Sequence, residues 1–270
     1  KNKIMGKYFQ KRVRPDIING DVSTVIQSNA TDLPFSEGDI LFDWTAVDIP
    51  LGTDAVVDVT VHSYGEDGGT QPGSDFTILI AKSNSGAAPT SLGSVNSAIT
   101  TCFELPDVLL GQCKMEGNTS GAGNLDLGNN GGTIWRWNLG SANGDTGPVV
   151  MEPEQNSLGG TTTNRIYIAG ICGADGGGRF DFSTGVVSDG GESSNTETSL
   201  TTKTVDPRKA FRVGDTVYIH DVNTAIGTIA SMTATNITLN AVIAGGTDIA
   251  NEDEFMNAKP MTIVLGLRGR

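Results

Sequence analysis

The chain has 270 residues and a mass of 28.1 kDa; 37% of residues are hydrophobic, 6% are aromatic and 36 are glycine. Gly, Thr, Asn and Ser recur throughout and are weak in helix interiors, which excludes a helical protein in favour of short strands joined by turns. The net charge of −13 excludes a body that grips nucleic acid, because a phosphate backbone needs clustered Lys and Arg, and no apolar run nears the roughly 18–20 residues of a membrane-spanning helix.

Charge is uneven along the chain. Lys1, Lys3, Lys7, Lys11, Arg12 and Arg14 are six of the 18 cations, with no acid among them. Residues 15–270 hold the other twelve cations and all 31 acids, twelve minus 31 giving −19. Ile4, Met5, Tyr8 and Phe9 interleave the six cations. A solvated tail does not need four large apolar groups, so residues 1–14 read as an extended basic arm. The arm is expected to be disordered alone and to order on an acidic partner surface. With its lead-in it covers 1–33, and it lacks the apolar h-region of a secretory signal.

Strand patterns begin after the lead-in. Asp39–Trp44 is the first, and the turn Ile49-Pro-Leu-Gly-Thr53 leads into Ala55–His62, where Val57, Val59 and Val61 alternate with Asp58, Thr60 and His62. A period of two marks a half-buried antiparallel strand. Asp75–Ala81, Thr133–Asn138 and Asn164–Cys172 continue the pattern, with loops over 64–73 and 83–97 and a polar excursion over 117–132. Residues 34–172 are therefore predicted to form an antiparallel β-sandwich, jelly-roll-like in arrangement. The Gly/Ser/Thr-rich stretch 173–205 reads as a linker. Phe211–His220, Ala225–Met232 and Thr235–Asn240 then give closely spaced strands, which predict a small β-barrel over 206–260. The apolar run Met261–Leu267, within a terminal segment 261–270, suits a last strand that rejoins the sandwich.

Catalytic motifs are sparse. Neither a phosphate-binding glycine loop nor a serine elbow occurs, and the only histidines are His62 and His220, each at a strand end. Acids in Glu66-Asp67, Asp175, Asp189, Glu192 and Glu252-Asp253-Glu254 lie in Gly-rich turns, where carboxylates support turn geometry. Neither an EF-hand nor a zinc spacing is present, and no cofactor is expected. Cys102, Cys113 and Cys172 read as reduced thiols, with Cys172 buried and a Cys102–Cys113 bridge unforced. Trp135 and Trp137 share one strand face. That pair suits core packing, a subunit interface, or a platform for sugar rings, the last making a carbohydrate-binding module an alternative reading.

The stretches Phe42-Asp-Trp-Thr-Ala-Val-Asp-Ile-Pro-Leu-Gly52, Tyr64-Gly-Glu-Asp-Gly68, Phe76-Thr-Ile-Leu-Ile-Ala-Lys82 and Pro89-Thr-Ser-Leu-Gly93 together resemble virion structural proteins of tailed bacteriophages, those of marine cyanophages especially. Phe211-Arg-Val-Gly-Asp-Thr-Val-Tyr218 with Ile226-Gly-Thr-Ile-Ala-Ser231 resembles the small β-barrels such proteins carry. The likeness covers about half the chain and lies in texture and order rather than in one diagnostic motif. It implies a non-enzymatic particle component, assembled in the host cytoplasm and resident in the virion. Its partners would be the major capsid protein or other virion proteins, in a homo-oligomer, without nucleic acid or membrane. A decoration or cement protein on the outer capsid is the first expectation; a tail, baseplate or fibre-root component is the second.

Overall fold

The computed structural model describes residues 7–18, 35–64, 75–84, 86–115, 124–126, 132–138, 148–150, 164–173, 180, 182–192, 196–220, 224–243 and 248–269. They form sixteen strands and one four-residue α-helix, α1 (Leu105–Val108). The protein is all-β.

Two antiparallel sheets make the sandwich. The first places β1 (Lys7–Val13), β16 (Met261–Gly269), β3 (Thr53–Ser63), β7 (Thr133–Asn138) and β6 (Asn124–Asp126) side by side, with β8 (Val149–Val150) also on β3. The second runs β2 (Ile40–Ile49), β9 (Asn164–Cys172), β4 (Phe76–Lys82), β5 (Leu109–Met115). Inward residues of both sheets share one core, which includes Val59, Val61, Ile78, Ile168, Ile263 and Leu265. Alternation explains most of it. The exception is Val57. The β16 register passes from Gly266 opposite Asp58 to Leu267 opposite Val56, so a bulge skips Val57 and turns Val56 inward.

Strands β4 and β9 are apolar on both faces. Their outer face is covered by residues 83–108, where Leu92, Ile99 and Leu105 pack on Ile40, Leu79 and Ala169. Central strands buried on both sides read as continuous apolar runs, as Ile166–Cys172 does. Gly170 belongs to this packing, since a Cβ there would collide with the Phe42 ring.

Several expectations are corrected. The arm is not detached over 7–14: β1 pairs with β16 from Lys7↔Gly269 to Val13↔Ile263. Ile17 and Ile18 of its lead-in are in the core, so the segment that follows the arm is anchored by burial. The stretch 173–205 is no simple linker, because Phe180 and Phe182 stack in the sandwich core. The same stretch contains β10 (Val186–Ser188) and β11 (Ser199–Thr204). The polar excursion 117–132 contributes the edge strand β6, three residues of which pair with β7.

The second module is an open sheet rather than a closed barrel. Its order is β10, β11, β14 (Asn236–Leu239), β13 (Thr224–Thr233), β12 (Thr216–Ile219), β15 (Phe255–Asn257). The edge strands β10 and β15 are three residues each; β10 approaches the residues just before β15 through the isolated bridge Val187↔Glu254 and through the Ser188 N–H, which donates to the Asp253 carbonyl at 2.9 Å, without forming a continuous ladder with β15. The Glu254 carboxylate beside that bridge accepts from the Thr184 and Gly185 N–H groups at 2.8 and 3.0 Å. Leu200, Phe211, Val217, Ile229 and Ile237 fill its separate core. The predicted strand 211–220 starts only at Thr216, because Val213 and Gly214 form a turn with Gly214 at φ 91°. β16 returns to β3, so in sequence this module lies between two sandwich strands.

One buried acid in this module sets a pH dependence. Glu192 is 9% exposed; it accepts from the Thr201 N–H at 3.0 Å and stands 2.9 Å from Ser188 Oγ. Ser188 Oγ also contacts the Gly190 carbonyl oxygen. Burial pushes the carboxyl up; the donors Thr201 N–H and Ser188 oppose this, and the charges of Glu197 and Asp189 add to it. With the folded value raised, the unfolded state loses its proton first as pH rises. The folded state is therefore favoured below the ordinary glutamate range and loses that advantage as pH climbs toward the raised value. Glu192→Gln should raise the thermal midpoint at neutral pH, and the gain should vanish on acidification below the ordinary glutamate range. A gain of equal size at both pH values would show that ionisation plays no part.

Candidate functional site

The sequence-predicted residues separate into three groups. Lys1, Lys3, Ile4 and Met5 lie outside the described residues. Lys7, Tyr8, Phe9, Lys11 and Arg12 lie on β1, and Arg14 follows it. Trp135 and Trp137 lie on β7, fully buried.

Alternation on β1 directs Tyr8, Gln10 and Arg12 to the exposed outer face, whereas Phe9 and Val13 pack against the core. Tyr8 and Phe9 thus have partners within the chain, which removes the reason for expecting disorder over residues 7–14. Tyr8 lies over Gly266 of β16, where any Cβ would meet the tyrosine hydroxyl and ring. Lys7 and Arg12 project into solvent. Lys11 is half-buried and helps hold Asp48 of β2 below the usual carboxylate range, behind the larger effect of Arg165, which donates to Asp48 at 2.7 Å. Elsewhere on this sheet's outer face, Arg136 pairs with Asp58 and Arg268 with Asp54 across neighbouring strands.

Arg14 does something different. Its guanidinium grips Asp215 with Nη1 and Nη2, the latter at 3.0 Å, and also donates to the Lys259 carbonyl. Asp215 is 4% exposed and accepts further from the Arg212 N–H at 2.8 Å and Asn257 Nδ2 at 3.0 Å. Charge-assisted donors on every side make this burial tolerable. Beside it the Arg212 guanidinium sits 4.9 Å from the Tyr64 ring centre, and Tyr64 meets His62 edge-on. Arg14 is thus a clamp between the N-terminal strand and the second module, not a residue presented to a partner. Sequence reasoning missed Asp215 because Gly214-Asp215 looks like any solvated turn.

Trp135 and Trp137 provide neither a glycan platform nor an interface. Both are at most 1% exposed, and Trp135 packs edge-on against Phe76 with ring centres 5.4 Å apart. None of the three cysteines is in a disulfide, Cys102 being exposed and Cys113 and Cys172 buried, so no Cys102–Cys113 bridge forms. Of the loop acids, Glu66, Asp67 and Asp175 lie outside the described residues. Asp253 caps the Ala250 N–H at 2.7 Å, and Asp189 and Glu252 reach Lys203. Among the described residues no three His, Cys, Asp or Glu side chains gather as metal ligands, and no helix is long and apolar enough to cross a membrane.

A cleft of about 100 Å³ opens outside the four-stranded sheet, lined by Trp44, Pro89, Leu92, Cys102, Phe103 and Leu105. Polar groups at its rim are engaged within the loop. Trp44 Nε1 donates to the Thr90 carbonyl at 3.0 Å, the Leu92 N–H donates to Asp43 at 3.1 Å, and Glu104 accepts from Asn84 and Thr90. The stretches around Phe42–Trp44 and Pro89–Gly93, distant in sequence, therefore hold each other. Phe103 stands 91% exposed at this rim, and nothing in its sequence context announces it.

Comparison of the chain with protein-family models, with curated proteins and with solved structures finds no match.

Proposed function

We propose that this chain is a non-enzymatic virion structural protein of a tailed phage. In this reading it is a decoration or cement protein that binds the outer capsid and strengthens the shell, as a homo-oligomer contacting the major capsid protein. One observation supports this above the others: a cationic, solvent-facing strand, β1, stands at the sheet edge of a body that is otherwise acidic. A protein made for a lattice must stay soluble before assembly and adhere only within it. Net negative charge serves the first need, and a fixed basic edge meeting acidic neighbours serves the second. The tail, baseplate or fibre-root reading uses the same features. The carbohydrate-binding reading loses its support, because Trp135 and Trp137 are unavailable to ligand.

Since residues 7–14 are part of the fold, deleting them is a poor test; substituting exposed cations is a good one. Particles are assembled with the wild-type chain or with Lys7→Glu/Arg12→Glu, and occupancy is read by cryo-electron microscopy at low and high salt. The expected result is density on the capsid exterior that falls in the variant and with salt. Density confined to the tail would transfer the reading to its rival. A chain absent from particles under all conditions would overturn both.

A further inference from the structure

We infer that the open edge of β1 is a strand-addition site that takes an extended acidic segment of a partner protein. The inference rests on the reading above only for where such a partner would be found. β1 is the terminal strand of its sheet. Seven consecutive residue pairs join it to β16 without a register shift, and among the described residues no strand pairs with its other side. A seven-residue edge with neither proline nor bulge presents a row of backbone N–H and C=O groups suited to one more strand. Three features prepare it. Tyr8 lies against Gly266, Phe9 packs on the sandwich core, and Arg14 ties the end of the strand to Asp215. A strand already ordered gives up little conformational entropy when it is joined.

Charge decides what can pair there. Lys7 and Lys11 lie on one face of the strand and Arg12 on the other, so a strand set beside β1 meets a cation on either face. Like charges directly opposite one another destabilise a pair, whereas opposite charges favour it. A second copy of β1, carrying the same cations, is therefore disfavoured. A segment that alternates acids with β-branched residues matches both the hydrogen-bonding edge and the charge. Lys11 is partly answered by Asp48 within the chain, so Lys7 and Arg12 carry most of the selection.

The test uses the full chain and synthetic peptides. One peptide alternates glutamate with valine; a second has the same charge but a central proline; a third replaces each glutamate by lysine. Binding is followed by fluorescence anisotropy and by hydrogen exchange at the backbone amides of Lys7–Val13. The acidic peptide should bind and slow exchange at alternate β1 amides. Proline, which removes a donor and breaks the ladder, should abolish that protection, and the lysine peptide should not bind. Lys7→Glu/Arg12→Glu, checked by circular dichroism to be folded, should weaken the acidic peptide about tenfold or more. Equal binding of the proline peptide would mean charge attraction without strand addition and would overturn the inference. So would unchanged exchange at β1, or protection that appears without peptide as protein concentration rises, which would place a second copy on the edge. Peptide binding with empty particles would sink the virion reading alone. Occupied particles with no β1 protection by peptide would sink this inference alone.

Discussion

Trp135→Ala is expected to destabilise the protein by about 3–5 kcal/mol, the usual cost of removing a large aromatic from a packed core. For a chain of this size that corresponds to roughly 2–4 °C in thermal midpoint per kcal/mol. The ring is fully buried between β7 and the opposite sheet, edge-on to Phe76 and tilted against Phe180, so its loss leaves a cavity that rigid strands cannot close. Trp135→Phe should cost clearly less. It retains most of the ring packing and removes an indole N–H that is buried without a hydrogen-bond acceptor among the described residues. Chemical denaturation of the two variants beside wild type checks the order. If Trp135→Ala kept wild-type stability, the side chain would be a surface platform and the core assignment would be wrong.

Arg14→Met should cost about 3 kcal/mol, near the low end for breaking a buried ion pair, since the arginine side chain is 25% exposed and Asp215 only 4%. The loss comes less from the missing attraction than from a carboxylate left buried with only the Arg212 N–H and Asn257 Nδ2 as donors. The sign of the interaction can be read directly. Adding Asp215→Asn to Arg14→Met removes the stranded charge, so the double variant should be more stable than Arg14→Met alone. Additive losses in this cycle would mean the two residues act independently and Arg14 does not clamp the second module. Removing residues 1–14 should likewise lower the thermal midpoint, because the seven β1 pairs with β16 disappear along with Arg14.

Much of the architecture was legible residue by residue. Alternation in Ala55–His62, Asp75–Ala81, Thr133–Asn138 and Asn164–Cys172 predicts strands that the fold contains, because side-chain direction in a strand follows from the local backbone. The all-β class follows from composition for the same local reason. The apolar run Met261–Leu267 also announces a strand, and its partners are β3 and β1. Charge segregation, with six cations in the first fourteen residues, is likewise a property of the chain itself.

Pairings between residues far apart in sequence emerge only from the folded chain. Nothing local says that β1 lies beside β16, that Arg14 meets Asp215 across 201 positions, or that a bulge opposite Leu267 turns Val56 inward in place of Val57. Phe180 and Phe182 sit in a stretch whose glycines and serines read as a linker, yet they fill core space left by other strands. Trp135 and Trp137 show the limit most plainly. Their alternation placed both on one face of β7, but which face is buried depends on the opposing sheet. Periodicity describes one strand, whereas burial is a property of what the rest of the chain brings to it.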